Sequence, residues 1–310
     1  MIGKRLSIAI PMLWVIATIT FFVVNALPVD VAQNILGDLA TQTQVAALRH
    51  ELGLDRSLWE QYWSWLIGAV HGDFGTSYMD GSSVTQDVLQ RLPVTMSLAL
   101  CATLTSAFLG IVIGTLAAVY GGWIDRVARA VTSAGMAIPG FWAAGLLVLV
   151  FAVWLGVLPA TGYTNLLESP TQWARGLVLP VAAVALASVA SIARQSRASL
   201  IQVLGMDYIR SLRAAGIPNS SIIVRHGLRN AAIPVVTILG LEFVSLFSGT
   251  IIVEQVFALP GISQLALSAV FQGDTPVILG VVIYATVIVL LLNLAVDICY
   301  VWLNPRERQR

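Results

Sequence analysis

Charge is scarce in this chain, and lysine is almost absent. Of 310 residues only 11% are Asp, Glu, Lys or Arg, and Lys4 is the single lysine. Soluble domains carry about a quarter charged residues, so the composition places the chain in lipid. A phosphate-binding loop needs G-K-[ST] after a glycine-rich turn. Lys4 is followed by Arg5, which excludes a Walker A motif. Histidine is limited to His50, His71 and His226, and cysteine to Cys101 and Cys299. None of these has metal-ligand spacing. His50-Glu51 lacks the second histidine of H-E-x-x-H. Both cysteines fall in apolar runs and read as small hydrophobes rather than a disulfide. The expectation is a chain that is not an enzyme and holds no metal or cofactor.

What the chain does have is apolar length. It is 57% hydrophobic with mean hydropathy +0.84. A bilayer core needs about 20 apolar residues in a helix, and lipid offers no partner to a loose backbone amide. Six stretches qualify, to within a few residues at each end: Leu6–Leu27, Thr95–Tyr120, Ala137–Leu158, Leu177–Ala193, Ile233–Val253 and Val277–Leu303. The fold class is therefore all-α, a polytopic protein with six transmembrane helices. The first run is long enough to span and reads as a retained helix rather than a cleaved leader. Gly110 and Gly114 form a GxxxG in the second stretch, and Gly240 lies in the fifth. These small residues read as ordinary helix packing rather than a specific dimer face.

Basic residues set the expected orientation. With the N-terminus inside, the inner segments hold Lys4, Arg5, Arg126, Arg129, Arg194, Arg197, Arg210, Arg213, Arg225, Arg229, Arg306, Arg308 and Arg310. The outer segments hold Arg49, Arg56, Arg91 and Arg175 alone. This bias predicts both termini in the cytoplasm. Three regions follow: 1–92, a first helix with a long outer segment; 93–303, a five-helix core; and 304–310, a cytoplasmic tail. The outer segment carries a short amphipathic helix over Thr43–Leu52 stopped by Gly53. The stretch Ser57–Leu66 then places Trp59, Tyr62, Trp63 and Trp65 at helical spacing. Such aromatics suit the headgroup level, so the segment is expected to fold back on the membrane or cap the bundle.

One polar island interrupts the core, at about 194–232. Met206–Ala215 reads as a short helix that begins at Asp207 and is stopped by Gly216. Ile209 and Leu212 share one side, Arg210 and Arg213 another. Ile217-Pro218-Asn219-Ser220 is a turn. A second helix starts near Ser221, and Pro234 marks a bend into the next span. A charge anchor alone needs no such shape. A DNA-reading helix-turn-helix has the same outline, but tethering at both ends excludes nucleic acid as the partner.

Residues 207–237 resemble the cytoplasmic EAA-type loop of permease subunits of bacterial ABC importers, in the dipeptide/oligopeptide form. The matching residues are Asp207, Tyr208, Ile209, Arg213, Ala214, Gly216, Arg225, His226, Leu228, Arg229, Asn230, Ala231, Ile233 and Pro234. Leu212 stands where an alanine is usual. Gly53-Leu54-Asp55, Gly72-Asp73-Phe74-Gly75-Thr76-Ser77, Leu158-Pro159-Ala160-Thr161-Gly162, Val253-Glu254-Gln255-Val256-Phe257 and Asn304-Pro305-Arg306 are similar to further signatures of that family. Pro28-Val29-Asp30-Val31-Ala32 and Asp274-Thr275-Pro276 depart from its pattern.

The resemblance implies a type I importer permease in the bacterial inner membrane. It implies a second permease subunit, usually a different chain, two ATPases that bind ATP and Mg, and an extracytoplasmic binding protein. It also implies a coupling loop made of Asp207, Tyr208, Ile209, Arg210, Leu212, Arg213, Ala214, Ala215 and Gly216. The arginines would be charge contacts to the ATPase, and Ile209 and Leu212 apolar ones. Asp30, Asp73, Phe74 and Asp274 are candidate contacts for the binding protein. The cargo implied is a di- or oligopeptide or a related small solute. The competing reading is a secondary transporter or channel, which uses intramembrane ionisable groups. Asp297 lies near a helix end. Glu242 lies near mid-depth, and either lines the pathway or makes a helix–helix hydrogen bond.

Overall fold

A computed structural model describes residues 2–303 of the chain. Arg306, Arg308, Arg310 and the Asn304-Pro305-Arg306 signature lie outside the described residues, as does the tail 304–310. The elements are α1 (Ile2–Asn25), α2 (Val31–Leu36), α3 (Gln42–Glu51), α4 (Leu58–Val70), α5 (Val84–Tyr120), α6 (Gly122–Ala137) and α7 (Gly140–Leu147). They continue with α8 (Pro170–Leu204), α9 (Asp207–Ala214), α10 (Asn219–Ser221), α11 (Arg229–Val256), α12 (Ile262–Gln272) and α13 (Thr275–Leu303). Two π-helical turns, Val148–Trp154 and Ile222–Leu228, follow α7 and α10. No strand occurs among the described residues.

Among the described residues five helices are long and apolar enough to cross a membrane: Ser7–Asn25, Val84–Tyr120, Pro170–Leu204, Asn219–Val256 and Thr275–Cys299. A sixth span exists if Gly122–Ala137 and Gly140–Trp154, bent by 99°, count as one. The expected third span, Ala137–Leu158, thus begins later, and a sharp corner precedes it. Pro139 makes that corner. The residue before a proline is driven out of the α region, and Ile138 is extended at φ −83°, ψ 120°. The second, fourth and fifth helices outrun their apolar stretches. Hydropathy marks the part that lipid must cover. A helix continues into water wherever its residues permit.

The chain divides into two compact units, residues 1–94 with 260–291 and residues 95–259 with 292–310. In the first, α3 and α4 begin with capping boxes at Thr41/Gln44 and Ser57/Glu60, which satisfy otherwise orphaned amides. The aromatic stretch is α4, and it lies along α1. Tyr62 is buried, shares a 2.7 Å hydrogen bond with Thr18, and stacks on Phe22. Trp59 and Trp63 stay exposed. A second core joins Phe74, Val84 and Val88 to Ile262, Leu265, Val277 and Val281.

In the second unit α8 is the scaffold, with α6, α7 and α11 packed against it. Gly110 and Gly114 let α5 close on the same helix. A Cβ on Gly110 would lie 2.7 Å from Ile192 Cγ2, and one on Gly114 2.5 Å from the Ala193 carbonyl. The GxxxG is therefore an internal packing seam. Polar bonds supplement it: Ser188 Oγ donates to Glu242 Oε2 at 2.5 Å, and Thr95 Oγ1 to the fully buried Glu254 at 2.7 Å. Overpacking a tight seam costs about 1–3 kcal/mol. Gly114→Leu is therefore expected to lower the thermal midpoint of the detergent-solubilised protein by several degrees. Gly249→Leu, where a Cβ meets nothing within 4 Å, is expected to shift it far less.

Candidate functional site: the polar hairpin

The polar island forms a helical hairpin. Met206 is the N-cap of α9 and makes no side-chain cap bond. Asp207 is the first helical residue, where its charge suits the helix N-terminus. It accepts from Arg210 Nη1 at 3.2 Å, and both side chains are largely exposed. Such a surface pair contributes little. The helix ends at Gly216, whose φ of +75° lies in the left-handed region. A Cβ there would meet no atom within 4 Å, so only the backbone demands glycine. Its amide donates to the Arg213 carbonyl, and that of Ile217 to Leu212.

Two isoleucines root the hairpin. Ile209 and Ile222 are both 0% exposed. The π-helical turn Ile222–Leu228 packs on α8, with Gly227 close to Leu200 Cδ1. Leu200, Val203 and Ala231 form a small core there with Ala118, Val119, Leu204 and Leu228. Asn230 Nδ2 donates to Tyr208 Oη at 3.0 Å and to the His226 carbonyl at 2.8 Å. Thus α9 is fastened to the first turn of α11. The second helix begins at Asn219 rather than Ser221, and Pro234 sits inside α11.

The expected coupling residues separate into two groups. Asp207, Tyr208, Arg210, Arg213, Ala214, Ala215 and Gly216 are exposed, and Leu212 is half-buried. Ile209 was expected to meet a partner. It is instead fully buried within the chain.

The other expected sites also divide. Asp30 caps α2 and pairs with Arg49 at 2.6 Å. The Arg49 hydrogen bond holds its carboxyl below the usual range. Asp73 is exposed and accepts from the Gly75 amide at 2.9 Å. Phe74 and Asp274 are buried. Asp274 accepts from Ser77 Oγ at 2.6 Å and the Tyr78 amide at 3.2 Å. Burial pushes its carboxyl pKa up, against those two donors. Phe74 and Asp274 thus build the fold of the first unit, which leaves Asp30 and Asp73 as the accessible pair. Glu242 is half-buried and engaged by Ser188, the helix–helix alternative foreseen for it.

Sequence reasoning missed one ion cluster. Asp125 of α6 is gripped by Arg197 of α8, through Arg197 Nε and, at 2.8 Å, Nη2. Arg129 Nε lies 3.3 Å from Asp125 Oδ2, the oxygen that also accepts from Arg197 Nη2. The i,i+4 spacing of Asp125 and Arg129 was a signal for half of this, but Arg197 is 72 residues distant.

Known proteins agree with this architecture. Residues 110–309 match the binding-protein-dependent transport system inner membrane component family. Residues 1–99 match the N-terminal family of such membrane components. A candidate peptide transport system permease protein of Brucella abortus (strain 2308) is 38% identical over 309 residues, covering 99% of this chain and 98% of its own length. The glutathione transport system permease protein GsiC of Escherichia coli (strain K12) is 36% identical over 308 residues, with the same coverage. The methionine ABC transporter MetNI, in an inward-facing conformation, matches 70% of this chain with a TM-score of 0.56 at 18% identity. That likeness speaks to fold alone. The chain belongs to the binding-protein-dependent transport system inner membrane components. It is a multi-pass inner membrane protein and a permease subunit of an ABC importer, which sets aside the carrier and channel readings.

The Tyr208–Asn230 bond makes a local prediction. Tyr208→Phe removes the acceptor and costs about 1 kcal/mol of local stability. Amide exchange across 207–216 is expected to quicken several-fold while exchange within α8 stays unchanged.

Proposed function

We propose that this chain imports peptides, as one of two membrane subunits driven by two ATPases through the hairpin at 207–222. The carrying observation is the division of α9: Ile209 is fully buried while Arg210 and Arg213 are exposed. A helix rooted on one side and bare on the other is suited to being gripped. Peptide cargo is supported by the relatives, one named for peptide transport and one for glutathione. In this reading both termini are cytoplasmic, the second permease is a homologous but different chain, and ATP and Mg are held by the ATPases. An extracytoplasmic binding protein delivers cargo near Asp30 and Asp73.

The cycle then follows from differential contact. A ligand shifts an equilibrium only by its difference in affinity for two states. ATP closes the ATPases, and the hairpins move with them. Because α9 is tied to α11 through Tyr208 and Asn230, and the π turn rests on α8, both spans follow. Gly216 allows the tight corner. Glu242, held to Ser188, rides on the moving pair and faces the pathway in at least one state.

The test is charge reversal in the reconstituted transporter. Arg210→Glu with Arg213→Glu is expected to leave membrane insertion intact, weaken co-purification of the ATPases and reduce ATP-driven peptide uptake at least tenfold. Wild-type uptake in that variant would refute the lever. Gly216→Val is expected to preserve assembly while lowering uptake per ATP hydrolysed, since a β-branched residue at positive φ costs about 1–2 kcal/mol.

A further inference from the structure

The first unit holds a cavity that the coupling mechanism does not use. It has a volume of about 360 Å³ and is walled by α4, the 51–56 turn, the 73–78 loop and the start of α13. That is within the range of small-molecule sites, about 300–1,000 Å³. Its charged wall residues are Arg56, Glu51 and Asp73. Arg56 is folded against the turn, its Nε 3.5 Å from where a Cβ on Gly53 would lie. It has no ion-pair partner among the described residues, and neither has Glu51. Asp73 is held in place by the Gly75 amide. Trp65 also lines the cavity, and its buried indole Nε1 has no acceptor among the described residues.

An unpaired cation and two carboxylates around one small cavity match a molecule carrying both charges. We propose that this cavity binds the zwitterionic backbone of a small peptide, its carboxylate at Arg56 and its ammonium at Glu51 and Asp73. The inference rests on the peptide-import reading and adds to it a peptide site on the permease itself. Phe21, Phe74 and Leu279 floor the cavity, so modest apolar side chains are accommodated.

The test uses the assembled transporter in nanodiscs without its binding protein, titrated calorimetrically with alanyl-alanine. Saturable binding is expected. Alanyl-alanine amide and N-acetyl-alanyl-alanine should each bind about tenfold more weakly, as expected when one charged hydrogen-bonding end is lost. Arg56→Gln should weaken alanyl-alanine binding to the level of the amide, yet leave binding of the amide itself unchanged. Glu51→Gln should do the same for the N-acetyl compound. ATP-driven uptake with the binding protein present is measured in parallel. Normal uptake without saturable dipeptide binding, or with binding indifferent to Arg56→Gln, overturns the cavity site and leaves the importer reading standing. Absence of peptide uptake by the wild-type transporter sinks that reading instead. If free dipeptide does not bind but Arg56→Gln weakens docking of the binding protein, the cavity reads a protein carboxylate and the proposal fails.

Discussion

The close approach of α5 to α8 at Gly110 and Gly114 is the constraint on which the second unit depends. Between helices in lipid there is no hydrophobic drive of the kind that works in water, since the tails are as apolar as the side chains. Association must come from shape and from polar bonds. The glycines provide the shape. The bonds from Ser188 to Glu242 and from Thr95 to Glu254 provide the rest. Each is costly to break, because a buried polar group that loses its hydrogen-bond partner is left unsatisfied. The result is a bundle packed around α8, on which the base of the hairpin rests.

The α-helical class and most spans were legible because hydropathy reports a physical requirement directly. A backbone in hydrocarbon must satisfy itself, so apolar length and helix coincide. The hairpin was legible for a different reason. Gly216 encodes a stop, and the phase of Ile209 against Arg210 separates an apolar side from a charged one, and the structure has both. The third span was placed to within a few residues, but the corner at Pro139 went unseen, because windowed hydropathy is blind to a bend. Ile209 and Leu212 looked alike in sequence, yet only Ile209 is wholly covered. Helical phase identifies the apolar side. What covers that side, the chain's own base or a partner, depends on tertiary packing. Asp274 shows the same limit: an acid in a loop reads as accessible until Ser77, distant in sequence, closes over it.

The charges sort by what holds them. Asp125 with Arg197 joins α6 to α8 in a shielded pair, where removing one partner strands the other. Asp30 with Arg49 ties the start of α2 to α3 more loosely. Arg210 and Arg213 are held by almost nothing, and Asp207 is a weak companion to the first. The gradient runs from shielded pairs that define the fold to bare cations that do not.

Bare cations alone would give the proposed coupling little to work with. An exposed ion pair is worth about 0–1 kcal/mol, far too little to move two membrane helices. The same guanidinium covered by a partner and matched to a carboxylate is worth several times more, because water no longer competes. Coupling free energies between sites are typically about 1–3 kcal/mol, which is within reach of one or two such contacts made in one state and loosened in the other. The partner therefore has to supply burial as well as charge. In the proposed coupling, an exposed face with its arginines uncommitted is what the hairpin needs before it is gripped, and the buried Ile209 fastens what is gripped to the rest of the chain.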